Sequence, residues 1–515
     1  MQTKTSSLLI QITVAFLFLI FIPGIFIWGT KFKILALLPI LLFVLAIYSG
    51  EKSSSRFRVQ SATKFIYFLY VVLLIHIIII GEIHYYTFFL GDHDVVMFTE
   101  IILETARGNF FRAHHLGDPD TANYLSHHFS PILLMFIPVM KIIPTRMAYV
   151  YFLSILTGIS LVTWERICRH SIRDSYLYFL ISVLPFFNPF AYNLLTSYHF
   201  EIIVLPLFLV FYLGEIKNNY FLMLPSFLLL LLSKEDVSFY FSLYSLSFLF
   251  SKKYFKFFFF FSISSLYFLY VPKFFHQYMD HSASMNWLEA WSNYGKNYIQ
   301  ISKSILLDLF SEWTLLKTLS IKIFVLLIPF SFLPIFGYKV FLFAIPLILL
   351  QSSSSRIWYN SFYHYYSYPV LPFLFISALL GLKQLNKFYP FQVNKTIYYL
   401  FLFPVFINLY LHNYLYHYQT IDPERVRNVT STSALIPPGS QVSAQFDLGM
   451  FVSRDNQVYP LQFKYLKEYI LVDMNGRSPY LSMTEIQDTL KKLEEFKKLQ
   501  IISVKNGVKL YKKVD

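Results

Sequence analysis

Charge is scarce in this chain. Of 515 residues only 14% are Asp, Glu, Lys or Arg, while 56% are hydrophobic and mean hydropathy is +0.51. A soluble domain of this length does not combine so little charge with so much apolar surface, so the composition excludes a soluble globular protein and points to a polytopic membrane protein. Cysteine is almost absent. Cys168 stands alone, which excludes an intrachain disulfide and a thiolate metal cluster. Internal repeats are lacking, and low complexity is confined to 255–261 and 352–355. Acidic residues number 29 against 43 basic ones, a net charge of +14. Basic cytoplasmic loops and contact with membrane lipids account for that excess, so no nucleic-acid partner is expected.

Apolar runs of roughly 20 residues, several short or broken by proline, predict about 13 spans. They lie near 8–29, 33–49, 64–82, 146–164, 175–195, 201–216, 219–233, 237–251, 254–271, 320–336, 339–351, 367–384 and 396–413. The run 8–29, preceded by Lys4, has no clear small-residue cleavage site and reads as an uncleaved first span. Basic residues fall in every second loop: Arg56 and Arg58, then Arg166 and Arg169, Lys217, Lys252 and Lys253, Lys339, and Lys383 and Lys387. These loops and the N-terminus are therefore expected to be cytoplasmic. The alternation survives only if 129–143, with Pro131, Pro138 and Lys141, does not span but forms a re-entrant or interfacial helix. Three regions follow: two N-terminal spans and a basic loop (1–63), a membrane domain (64–413) with a large outer loop at 82–145, and an extracytoplasmic tail (414–515).

The tail differs in kind. Short β-like runs occur at 441–445, 469–474 and 501–504, and a helical pattern over 483–498 places Ile486, Leu490, Leu493 and Phe496 on one face. Asn506-Gly507 reads as a tight hairpin turn. The tail is thus a small α/β domain, with the proline-bearing segment 421–440 as its linker.

Ionisable groups at a membrane face mark function, because a bilayer penalises them. Five sets fall on the expected outer face. Asp92 and Asp94 pair at i and i+2, suited to general base work or to holding Mg or Mn, although either can simply cap a helix that follows. His127-His128 can bind a metal or, when protonated, a phosphate. His199 and Glu201 stand at the start of a span. Lys234-Glu235-Asp236 interrupts an apolar run, where three charges need partners or water. The loop 352–368 carries Arg356, Tyr359, Tyr363, His364, Tyr365, Tyr366 and Tyr368, suited to a phosphate and to stacking on sugars or to an interfacial aromatic belt.

Short motifs recur in a fixed order: Asp94-Val-Val-Met-Phe, Thr105-Ala106-Arg107-Gly108, His128-Phe129-Ser130-Pro131, Lys234-Glu235-Asp236, Val442-Ser443-Ala444-Gln445, Ser453-Arg454, Val458-Tyr459-Pro460 and Tyr469-Ile-Leu-Val-Asp473. In these the chain resembles, from about 64 to 513, the bacterial membrane-protein family called domain of unknown function 2079. Phe446-Asp447-Leu448 departs from that family's pattern. The family in turn resembles the GT-C glycosyltransferases, whose plan is a span, a large outer loop with a catalytic Asp near its start, many more spans and often a soluble outer domain. The resemblance implies that Asp94 is that acid and that Lys234 lies near a lipid phosphate. It implies a bacterial inner-membrane enzyme moving a sugar from a polyprenyl phosphate to an extracytoplasmic acceptor, with a divalent metal at Asp92 and Asp94 as its one candidate cofactor. A transporter or flippase of a lipid-linked or small polar solute, and a non-catalytic envelope assembly protein, are the rival expectations.

Overall fold

A computed structural model describes residues 59–514 apart from 92, 117–121, 144, 277–286, 312, 361–364, 389–420, 477–481 and 497. The expected spans at 8–29, 33–49 and 396–413 lie outside the described residues. What is described is mostly helical, with one small sheet near the C-terminus. In chain order the principal helices are α1 (Val59–Tyr86), α2 (His93–Ala106), α3 (Ala148–Ser171), α4 (Val204–Ile216), α5 (Tyr220–Ser233), α6 (Glu235–Ser245), α7 (Tyr254–His276), α8 (Trp313–Leu327) and α9 (Leu371–Phe388).

Ten of the expected spans fall on described residues, and not all of them form one long apolar helix. Among the described residues four helices are long and apolar enough to cross a membrane: Ala62–Tyr86, Ala148–Ser171, Tyr254–Phe275 and Trp313–Phe330. A fifth exists if Pro189–Thr196 and Phe200–Ile216, bent by 120° at their junction, form one broken span. The physical cause is local. Pro185, Pro189, Pro329, Pro334 and Pro346 sit at or near breaks that cut apolar runs into short helical pieces. The 129–143 run likewise does not span. Its helices, Pro131–Met135 and Phe136–Ile142, are together too short to cross, and Ile142 is 77% exposed.

α1 and α3 pack closely where α1 has Gly81. A Cβ there would lie 2.7 Å from Val150 Cγ1 and 3.1 Å from the Tyr198 hydroxyl. That hydroxyl donates to the carbonyl of Ile77 at 2.5 Å. Tyr198 itself adopts φ +52°, a left-handed conformation unusual for a tyrosine, within the 120° bend. Its ring and hydroxyl are anchored on α1, which compensates for the backbone strain and aims the next residue, His199.

The tail contains helix α10 (Pro423–Ser433), strands β1 (Gln441–Ala444), β2 (Gln457–Pro460) and β3 (Tyr469–Asp473), helix α11 (Met483–Glu495), then β4 (Leu499–Lys505) and β5 (Val508–Lys513). Sheet order is β2-β1-β3-β5-β4, with β1 parallel to both neighbours and β5 antiparallel to both of its own. The amphipathic helix forms over Met483–Glu495 behind a Ser482–Glu485 capping box, burying Ile486 and Leu490 and half-burying Leu493, whereas Phe496 falls at its C-cap and is exposed. Asn506 (φ +41°) and Gly507 (φ +90°) make the hairpin turn between β4 and β5. The linker reading of 421–440 is corrected. Asp422 caps α10 through the amides of Glu424 and Arg425, and Pro423 stands at a position where a helix needs no N–H.

The tail docks onto the loop after α1. Arg425 lies 3.9 Å over the Phe88 ring and donates to Asp473 at 2.5 Å and Asp447 at 2.8 Å. Phe451 stacks on Tyr85 and Phe88. Beneath this lies a second clasp. Glu100 of α2 holds His114 Nδ1 at 2.7 Å and His115 Nδ1 at 2.6 Å, all three fully buried, and the His114 ring stacks on Tyr459 of β2. Burial alone would raise the Glu100 pKa, but the His115 charge and the two imidazole bonds outweigh it and hold it below the ordinary value. A depressed carboxylate pKa stabilises the fold above the ordinary carboxylate range and loses that contribution as pH falls through the depressed value. Glu100→Gln is therefore expected to lower stability at neutral pH by about 2 kcal/mol. It should also flatten the acid-side loss of protease protection of the tail, measured by limited proteolysis of the two proteins at neutral and acidic pH.

Candidate functional site

Four segments distant in sequence converge beside the N-terminus of α2. Asp94 sits in its first turn, at the positive end of the helix dipole, with its side chain 39% exposed. His199 approaches it from the 120° bend, Nε2 standing 3.4 Å from Asp94 Oδ2. The other ring nitrogen, Nδ1, pairs with the Glu201 carboxylate. The second oxygen of Glu201 accepts from Lys234 Nζ at 2.7 Å. Asp94, His199, Glu201 and Lys234 thus form one line of alternating acid and base. The last three are nearly excluded from solvent and only Asp94 is accessible.

Aromatic walls fix the imidazole. Tyr365 stacks on it at 3.5 Å between ring centroids and 10° between planes, and Phe98 of α2 meets it edge-on at 4.7 Å. Burial, reinforced by the charge of Asp94, pushes the Tyr365 hydroxyl well above the ordinary phenol range, so it stays protonated beside the site.

Lys234 ends the line, and the two acids that follow it are engaged separately. Glu235 accepts from the Phe129 amide at 2.9 Å and pairs with His128 Nδ1 at 2.7 Å. Asp236 accepts from the Tyr368 hydroxyl at 2.5 Å and the Tyr240 hydroxyl at 2.7 Å. Lys234 also lies 5.6 Å over the Tyr368 ring. Burial lifts the pKa of both Glu235 and Asp236 against the pull of Lys234. Burial, together with the charges of Lys234 and His127, holds His128 well below the usual imidazole range. Both shifts weaken the ion-pair character of the His128–Glu235 contact.

Of the residues singled out in the sequence, Asp94, His128, His199, Glu201, Lys234, Glu235 and Asp236 come together here. His127 joins through its edge contact with the His128 ring, 4.8 Å between centroids. Arg356 pairs with Glu289 at 3.5 Å instead of with a member of this line. Asp92, Tyr363 and His364 lie outside the described residues. Among the described residues no group of three or more His, Cys, Asp or Glu is disposed to hold a metal ion. Next to Asp94, the one accessible carboxylate of the line, stands an imidazole whose other nitrogen is already paired with Glu201. Sequence reasoning missed Phe98 and Tyr240, whose apolar settings look like ordinary core, and the Glu100–His114–His115 clasp. The adjacent histidines at 114 and 115 were the one signal for that clasp.

The arrangement suits proton transfer at Asp94, with His199 oriented and backed by a buried, charge-balanced carboxylate. The balance is testable. Lys234→Met keeps the length but strands the Glu201 charge, and is expected to cost about 3–5 kcal/mol. The double variant Lys234→Met with Glu201→Gln should recover much of that loss. Unfolding of the detergent-solubilised protein measures both, and simple additivity of the two changes would refute the pairing.

No curated protein matches this chain. A family model described as a predicted membrane protein, DUF2079, matches residues 84–509, from the end of α1 through to β5 and including every described member of the line of acid and base. The chain belongs to the DUF2079 family of membrane proteins.

Proposed function

We propose that this protein is a GT-C-type glycosyltransferase of the bacterial inner membrane, moving a sugar from a polyprenyl phosphate to an extracytoplasmic acceptor. The observation that carries the reading is one accessible carboxylate, Asp94, backed by the buried His199–Glu201–Lys234 line beyond the end of α1, a helix long and apolar enough to cross a membrane. In this reading the side bearing Asp94 and the tail is the outer side, the basic loops are cytoplasmic, and the spans beyond the four long helices are the short, proline-broken pieces.

Asp94 accepts the proton of the acceptor hydroxyl as that oxygen attacks the anomeric carbon. The bond from that carbon to the phosphate oxygen breaks, the electron pair leaves with the phosphate, and configuration inverts. His199 holds Asp94 in place through Nε2. The Glu201 carboxylate keeps the imidazole oriented, as a buried carboxylate does in other acid–base sites. Lys234 acts on the leaving phosphate through its field, since its ammonium is bonded to Glu201. His127 and Arg356, half-buried and outside the line itself, are the remaining candidates for the phosphate, and Tyr363 and His364 extend that set. A divalent metal, if bound, would be held by Asp94 with Asp92 and would supply charge neutralisation at the phosphate.

Asp94→Asn preserves size and is expected to reduce transfer by about 10²–10⁴-fold while leaving expression and unfolding temperature close to wild type. Mass spectrometry of envelope extracts from cells with matched protein levels checks this. Loss of one glycan with accumulation of a polyprenyl-phosphate sugar is expected, and unchanged glycan profiles would sink the assignment.

One observation favours a second reading. The 120° break beside His199 resembles the discontinuous helices with which transporters bind solutes. Under transport, Asp94→Asn would leave the lipid-linked sugar on the wrong side of the membrane rather than unconsumed on the right one. Sidedness of the accumulated lipid separates the two.

A further inference from the structure

The polar residues at the membrane boundary do not all join the Asp94 line. A cavity of about 510 Å³ opens between the end of α1, the start of α3 and the tail. Its working lining is Glu82 and Tyr85 of α1, Arg146 and Tyr151 at the start of α3, and Arg454 and Asp455 of the tail. Its volume is that of an ordinary small-molecule site, about 300–1,000 Å³. Glu82 and Tyr85 belong to the last turns of one membrane helix and Tyr151 to the first turn of another, so the cavity sits at head-group depth.

The lining is built rather than incidental. Arg454 Nη1 donates to the carbonyls of Ile143 at 3.1 Å and Thr145 at 3.0 Å, which fixes the segment leading into α3. Arg107 Nη2 donates to the carbonyl of Arg454 itself at 3.1 Å. The Tyr151 hydroxyl donates to Glu82. Arg146 and Asp455 face each other at 3.7 Å, a loose pair with side chains 27% and 50% exposed. A ligand carrying both signs can part this loose, half-exposed pair and exchange charge for charge.

Two guanidiniums and two carboxylates in one cavity select among head groups. An anionic lipid satisfies the arginines but leaves Glu82 and Asp455 facing another anion. A ligand with a phosphate and an ammonium satisfies both halves. We propose that this cavity binds the head group of a zwitterionic phospholipid, phosphate against Arg146 and Arg454, ammonium against Glu82 and Asp455. Because Arg454 and Asp455 come from the tail and the other groups from the membrane domain, the bound lipid fastens the two together at the bilayer surface. The inference is independent of whether Asp94 transfers a sugar.

The test uses the full-length protein in mild detergent. Native mass spectrometry follows binding of dioleoyl phosphatidylethanolamine and dioleoyl phosphatidylglycerol, with soluble O-phosphoethanolamine as a third ligand. The zwitterionic lipid is expected to bind about tenfold more tightly than the anionic one. Arg146→Ala should weaken it by about fivefold or more, and Glu82→Gln should reduce its preference over the anionic lipid by a similar factor. Unfolding temperatures in lipid-free detergent establish that the variants are folded, and if Arg146→Ala is not, the isosteric Glu82→Gln decides. Equal affinity for the two lipids overturns the proposal, as does a preference that survives both Glu82→Gln and Asp455→Asn. Tighter binding of O-phosphoethanolamine than of the lipid also overturns it and makes a free phosphate ester the ligand.

Discussion

Burying the Glu201 carboxylate imposes a demand that several distant segments of the chain meet. A carboxylate taken from water is costly unless paired and hydrogen-bonded. Here one oxygen takes the Lys234 ammonium and the other the His199 ring, and both partners are themselves nearly buried. Lys234 stands between α5 and α6, while His199 stands at a bend that exists because Tyr198 adopts a left-handed backbone anchored on α1. The bend, the junction of two short helices and the end of the first described span are thus tied to one charge. Asp94, the exposed end of the line, inherits its orientation from all three.

The same logic recurs at the tail. Arg425, set between Asp473 and Asp447 under the Phe88 ring, and Glu100, set between two imidazoles, each bury charge by pairing it across an interface between segments. Pairing of this kind contributes less to net stability than to uniqueness of arrangement, since a wrong docking leaves a charge stranded. The tail is therefore held in one position above α2, and its Arg454 and Asp455 complete a cavity that neither part forms alone.

How far the candidate site was legible follows from which residues share a physical signal. Lys234-Glu235-Asp236 was visible because three charges in an apolar run cannot be accidental, and Asp94 because an acid follows directly on a membrane helix. Their convergence was not visible. Nothing in the spacing of Glu201 and Lys234, 33 residues apart, says that their side chains meet at 2.7 Å. Tyr240 and Phe98 looked like core because an aromatic in an apolar helix carries no mark of whether its hydroxyl or edge serves a charge. Arg356 was singled out through loop membership alone, and its pairing with Glu289 was not legible either.

The sequence by itself determined what solvent each part of the chain prefers. Scarce charge and long apolar runs set a membrane domain, short β-like runs and a period-3.6 pattern set an α/β tail, and Asn506-Gly507 set its hairpin, because these depend on local chemistry and short-range geometry. Only the tertiary structure decided which apolar runs among the described residues form helices long enough to cross, since prolines cut some runs into pieces whose hydropathy alone looks the same as a span. It also decided which charges face one another, because pairing energy belongs to three-dimensional proximity and not to order along the chain.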